Sequence, residues 1–127
     1  MATKIPRHLL LVLVLCTTIM LPAAWGQEFR GKIQGLVTDA SGAVIPGVTI
    51  TLNNIKTGIQ TVKITNETGL YRFDNVDPGS YTLAAELPGF SKTVQENISV
   101  QAQGDVTVNL SLKVGEISDT VTVTETP

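Results

Sequence analysis

Histidine and cysteine, which commonly serve as a general base, a thiol nucleophile or a soft metal ligand, are almost missing from this sequence. Histidine and cysteine occur once each in the 127 residues, as His8 and Cys16. Past residue 16, a serine nucleophile would have no imidazole base, and a zinc site built from cysteine and histidine could not form. The sequence therefore predicts that the chain is not an enzyme.

Carboxylates offer the remaining acid–base or metal chemistry, and their closest pair is Asp74 and Asp77. This pair lies beside a Pro-Gly turn and is most simply interpreted as solvated turn residues. The run Asp-Asn-Val-Asp lacks the ligand spacing of a calcium loop, and no glycine-rich loop that could hold a phosphate is present. We therefore expect no metal and no cofactor.

The first 26 residues have the pattern of a secretory signal peptide. Lys4 and Arg7 precede an apolar run, Leu9–Leu21, and small residues follow at Ala24 and Gly26. The run is shorter than the roughly 18 apolar residues that a membrane span needs. We predict export and cleavage after Gly26, with an uncleaved membrane anchor as the alternative.

Cleavage at that position would leave a mature chain of 101 residues, which suits one domain. Cys16 lies within the apolar run rather than at its end, so we expect it to leave with the signal peptide without being lipidated. The mature chain would carry seven basic and eleven acidic side chains, a net charge of −4. Nucleic acid and anionic lipid are therefore not expected partners, and we expect no transmembrane segment in the mature chain.

Any functional residue in this mature chain must be positioned by β-strands, because apolar and polar residues alternate in short runs. Frequent turn signals separate these runs, among them Asp39–Gly42, Asn66–Gly69 and Pro78-Gly79. Seven strands are predicted, near Lys32–Thr38, Val48–Asn53, Gln60–Thr65, Leu70–Phe73, Ser80–Leu87, Ser91–Val100 and Asp105–Lys113. So many short strands favour an all-β sandwich or barrel.

A sandwich of two sheets would bury the apolar residues that share one face of each strand. The predicted core is Ile33, Val37, Val48, Ile50, Leu52, Val62, Ile64, Tyr71, Phe73, Val76, Tyr81, Leu83, Phe90, Val106, Val108 and Leu110. Gly69 is expected to adopt a positive φ, because the chain must turn there before Tyr71 and Phe73 point inward.

The order of these turns and strands resembles a carboxypeptidase regulatory-like domain. The motifs that carry the resemblance are Gly35–Asp39, Ile45–Leu52, Thr65–Phe73, Val76–Leu83 and Pro88–Phe90. The resemblance implies a seven-stranded, transthyretin-like or Cna-B-like β-sandwich over residues 27–113. It also implies an accessory domain, of the kind attached to peptidases, adhesins and outer-membrane receptors.

The residues after this domain, 114–127, suggest a narrower resemblance. An exported domain followed by Val114–Thr124 is similar to the N-terminal extension of a TonB-dependent outer-membrane receptor, which would place it in the periplasm or at the cell outer membrane. In that family a plug and a β-barrel follow, and a short segment, the TonB box, pairs as a strand with the TonB energy-coupling protein. The matching residues here are Asp119, Thr120, Val121, Thr122, Val123 and Thr124. An ordinary last strand or linker is the alternative interpretation of the same six residues.

Two other properties of related sandwiches were considered. A carbohydrate-binding or adhesive surface module is the alternative function, with Phe29 and Phe90 as the aromatic residues that could be exposed. An internal isopeptide bond between Lys32 and Asn109 is not expected, since Ala85 occupies the position where related adhesins have the assisting glutamate.

Overall fold

The computed structural model describes residues 2–18, 26, 28–115 and 120–124. One helix, α1, is followed by nine strands in the described residues. Their bounds are α1 Arg7–Thr18, β1 Gly31–Thr38, β2 Thr49–Asn54, β3 Gln60–Ile64, β4 Leu70–Val76, β5 Gly79–Glu86, β6 Lys92–Val100, β7 Asp105–Thr107, β8 Leu110–Ser111 and β9 Thr120–Val123.

The strands form two sheets, which confirms the predicted all-β sandwich. In one sheet β1 lies between β4 and β7, and β8 also pairs with β1. The other sheet has the order β3-β2-β5-β6-β9. The pairing is antiparallel except for β7 and β8 on β1 and β9 on β6, which are parallel.

The core lies between the two sheets and contains most of the residues that the strand pattern predicts. Val106 and Phe90 are only partly buried and pack against it. Five further buried hydrophobic residues were not predicted: Ile45, Ala85, Ile98, Val100 and Leu112. Ile98 and Val100 come from β6, whose alternation the sequence obscures because a β-bulge shifts its register.

The predicted burial of Val62 and Ile64 is wrong, since their exposed fractions are 55% and 64%. Antiparallel pairing places Val62 opposite Thr51 and Lys63 opposite Ile50. Directly paired residues share a face, so the lysine lies on the inner face and the two aliphatic residues on the outer one. All five residues of β3 are exposed, because this strand forms an edge of its sheet.

The predicted last strand, Asp105–Lys113, is divided into β7 and β8, so the seven-strand count is also corrected. The interruption lies beside Gly35, where a Cβ atom would come within 1.8 Å of the Val108 carbonyl oxygen. The Tyr71 hydroxyl donates a hydrogen bond to that same oxygen, and burial raises the pKa of Tyr71. The missing side chain of Gly35 thus leaves room for the Val108 carbonyl group between β7 and β8, which pair with β1 in the same register.

Side-chain oxygens organise the turns that the sequence indicated. Asn66 Oδ1 accepts hydrogen bonds from the backbone N–H groups of Thr68 and Leu70, at 3.0 Å each. Gly69 has a φ of 75°, as predicted for this turn. In the earlier turn, the hydrogen bond from the Ser41 hydroxyl lowers the pKa of Asp39. These local bonds stabilise the turn that follows β1 and the turn that precedes β4.

The N-terminal helix α1 falls within the predicted signal peptide, and its described side chains are exposed. No helix in the described part of the chain is long and apolar enough to cross a membrane. Residues 1–26 remain a predicted signal peptide.

Candidate docking strand

Five of the six residues predicted to dock a partner lie within the described structure. Thr120–Val123 form β9, and Thr124 follows it. Asp119 lies outside the described residues. β9 runs parallel to β6, with Thr120 opposite Lys92 and Val123 opposite Gln95.

The two faces of β9 differ in exposure. Val121 and Val123 are opposite the buried Thr93 and Gln95 and are themselves half-buried. Thr120 and Thr122 are exposed on the other face. β9 therefore covers one end of the core with two valines.

A side chain of β6 marks the end of the β9 ladder. Asn97 lies in the bulge where Leu83 pairs with Gln95 but Tyr81 with Ile98, and it has a φ of 59°. From this left-handed conformation, which asparagine tolerates, its Nδ2 donates a 3.3 Å hydrogen bond to the Thr124 carbonyl oxygen. The sequence gives no signal for this contact, because it depends on where the bulge falls.

The outer edge of β9 has the composition of an unprotected sheet edge. In the described structure no strand pairs with β9 on the side away from β6. The strand Thr-Val-Thr-Val contains no charged residue and no proline, the groups with which exposed edges are commonly protected. Its backbone can therefore accept an added strand without displacing a charged side chain.

The carboxylates considered for chemistry have structural partners instead. Asp74 pairs with Arg72 at 2.7 Å, and Asp77 pairs with Arg30 at 3.2 Å. Across the described ranges no group of three potential ligands could hold a metal ion.

Lys32 and Asn109, the pair considered for an isopeptide bond, make separate contacts. The Lys32 ammonium group lies 3.2 Å from an Asp105 oxygen. Asn109 Oδ1 accepts a 3.0 Å hydrogen bond from the Leu36 N–H group. Neither contact brings the amine and the amide together.

The two aromatic candidates for glycan binding also differ from one another. Phe29 is 57% exposed. Phe90 is partly buried against the core, so its ring is largely a packing element.

Comparison with known proteins gives partial matches to much longer proteins and to diverse solved structures. Serine-aspartate repeat-containing protein E from Staphylococcus aureus is 42% identical over 57 residues, which are 44% of this chain and 5% of that protein. A putative carbohydrate binding protein from Bacteroides uniformis shares the fold with a TM-score of 0.55 at 20% identity, covering 65% of this chain and 41% of that one. Hydroxyquinol 1,2-dioxygenase from Pseudomonas putida also shares the fold, with a TM-score of 0.57 at 7% identity, over 72% of this chain and 59% of the enzyme.

Neighbours as different as these share an architecture, so the fold alone does not give a function. The chain also spans only about a twentieth of the staphylococcal protein that it matches. The carboxypeptidase regulatory-like domain, by contrast, matches residues 32–113, well over half of the sequence. The protein therefore belongs to the carboxypeptidase regulatory-like domain family.

Proposed function

We propose that this protein is a non-catalytic interaction domain of the bacterial cell envelope, acting as the N-terminal extension of a TonB-dependent receptor. In this proposal residues 1–26 direct export, and the sandwich is an accessory domain. Asp119–Thr124 is the segment that docks the TonB energy-coupling protein. The observation that carries the proposal is β9, an uncharged strand that follows the family domain and forms one edge of the five-stranded sheet.

β-Augmentation explains how such a strand would bind. Backbone N–H and C=O groups of an added strand supply affinity, and alternate side chains supply specificity. Thr120 and Thr122 are exposed beside the free edge, whereas Val121 and Val123 point towards the core. The partner would thus meet the backbone and the threonines while the valines hold β9 in place.

In a second route, β9 separates from β6 before the partner binds it. Four residue pairs and the Asn97 side chain hold β9 on the sheet. Both routes require the β9 backbone, so one experiment tests them together.

The decisive experiment measures binding of the chain to the periplasmic domain of a TonB protein by isothermal titration calorimetry. Thr122→Pro removes a backbone donor and should abolish binding. Thr122→Ala leaves the backbone intact and should bind within about threefold of the wild type, since the backbone bonds dominate. Equal binding by Thr122→Pro and the wild type would show that β9 is not the docking strand.

A carbohydrate-binding or adhesive surface module is the second candidate. The exposed Phe29 ring and the similarity to a putative carbohydrate binding protein favour it. A glycan-array signal that disappears in Phe29→Ala but persists in Thr122→Pro would select this function. An empty array would remove it.

A further inference from the structure

A shallow groove of about 590 Å³ is lined mainly by β1, β4 and the end of β7, and it reaches the last residues of β3. Leu36 of β1 and Leu70 of β4 are direct partners in the groove, and Ile64 of β3 also lines it. Leu70 and Ile64 are 47% and 64% exposed. Three strands thus bring two exposed aliphatic side chains and the half-buried Leu36 to one place, which is unlike the scattered apolar residues of an ordinary surface.

The charges in the groove all have the same sign. Lys63 and Arg72 line it, and none of the carboxylates that the structure describes does so. The Arg72 side chain pairs with Asp74 outside the groove. Lys63 forms no ion pair within the described part of the chain, so it leaves an uncompensated positive charge beside the aliphatic residues. The whole chain has a net charge of −2, so this local charge is not a general property of the surface.

Hydrogen-bonding groups surround the aliphatic residues. Gln34, Asn66, Thr107 and Asn109 line the groove. The aromatic ring nearest to them, Tyr71, is only 3% exposed and cannot form a stacking surface. A sugar ring would therefore find no aromatic platform here, whereas a peptide would find aliphatic contacts, amide groups and a cation.

We propose that this groove binds an acidic peptide segment of another protein. Aliphatic side chains of the peptide would pack on Leu36, Leu70 and Ile64, and one of its carboxylates would pair with Lys63. The groove volume lies within the range of roughly 300–1,000 Å³ found for small-ligand sites, which limits the contact to a few residues. β3 and β9 form opposite edges of the five-stranded sheet, so this site is separate from the docking strand.

The proposal predicts which amide signals move in a titration of the ¹⁵N-labelled chain followed by NMR. The probe is the synthetic peptide acetyl-Leu-Glu-Leu-Glu-Leu-Glu-amide, and its counterpart with lysine in place of glutamate is the control peptide. The acidic probe should shift the signals of Leu36, Lys63 and Leu70 and leave those of Thr120–Val123 unchanged. The lysine peptide should bind more weakly.

Two pairs of matched variants distinguish specific peptide binding in the groove from nonspecific attraction to the protein surface. Lys63→Glu should weaken binding of the acidic probe about tenfold, whereas Lys56→Glu, an exposed lysine outside the groove, should change it less than about twofold. Leu36→Ser should weaken binding, whereas Val62→Ser, an exposed aliphatic residue outside the groove, should not. The dispersion of the NMR spectrum reports whether each variant is folded.

Three results would overturn the proposal. One is the absence of signal shifts in the groove with the acidic probe. The second is an equal loss of binding in Lys63→Glu and Lys56→Glu. The third is Lys63-dependent binding of oligogalacturonate without binding of the peptide, which would assign the groove to an anionic glycan. None of these results depends on TonB binding through β9.

Discussion

The two outer strands of the five-stranded sheet are both exposed, yet they are attached in different ways. β3 is joined to β2 by a short turn and pairs with it through five residues in antiparallel register. Immediately after β3, the buried Thr65 accepts a hydrogen bond from Val48 N–H and donates one to the Ile45 carbonyl oxygen. β9 has four parallel pairs and one side-chain hydrogen bond from Asn97.

The charges of the two edges also differ. β3 contains a lysine, Lys63, as the fourth of its five residues, whereas β9 has no charged residue. A lysine within an edge strand discourages strand addition, because pairing there would bury its charge. Exposure alone therefore does not identify a docking strand. The weaker attachment and the lack of charge distinguish β9 from β3.

The largest expected effect comes from a substitution that disrupts the sandwich itself. Gly35→Val would place its Cβ atom 1.8 Å from a backbone oxygen that cannot move aside. We expect this variant to lose about 3 kcal/mol of unfolding free energy, measured by urea denaturation.

Deletion of residues 120–124 is the comparison for that variant. It should cost less than about 1 kcal/mol, because it removes an outer strand with only two half-buried aliphatic side chains. Equal losses in the deletion and in Gly35→Val would mean that β9 is an integral part of the sandwich.

An intermediate effect is expected in the turn between β3 and β4. Gly69→Val would force a β-branched residue to a φ of 75° and bring its Cβ atom within 2.9 Å of the Val37 carbonyl oxygen. The conformational strain alone is about 1–2 kcal/mol.

Gly69→Asn is the matched control, since asparagine tolerates the left-handed conformation better. It should lose less stability than Gly69→Val in the same urea titration. TonB binding by the folded fraction should be normal in both variants, and a loss of binding would show that the two edges are coupled.

The smallest effect on stability is expected at Asn97, and it should be confined to β9. Asn97→Gly keeps the left-handed backbone accessible and removes only the hydrogen bond to Thr124, so its unfolding free energy should fall by about 0.5–1 kcal/mol or less. The amide protons of β9 should exchange with solvent faster, while those of β2 and β5 should be unchanged. Uniform acceleration across the sheet would contradict the role of Asn97 as a clamp for β9.

The alternation of residues and the turn motifs predicted most of the fold, because both are properties of neighbouring residues. They located the sandwich, most of its core and the positive φ of Gly69. They failed at Val62 and Ile64, whose exposure is set by the register and edge position of β3. They also failed at Asp105–Lys113, because the break depends on the space beside Gly35, a residue about 70 positions earlier.

The candidate site was less predictable than the fold. Thr120–Thr124 could be singled out as a β-prone segment, but the strand that it joins could not. Its pairing with β6, and the bulge that positions Asn97, depend on contacts between segments distant in sequence. The groove was not anticipated either, since it exists only where β1, β3 and β4 come together.

Native-state hydrogen exchange tests most directly whether β9 is a separable docking strand. We would follow amide exchange by NMR at increasing urea concentrations below the unfolding transition. The protected amides of Thr120–Val123 should exchange through a local opening whose free energy is lower than that of global unfolding and nearly independent of urea. Amides of the central strands β2 and β5 should exchange only through global unfolding. If β9 amides instead exchange with the same free energy and urea dependence as those central strands, β9 is a fixed part of the sandwich and the account is wrong.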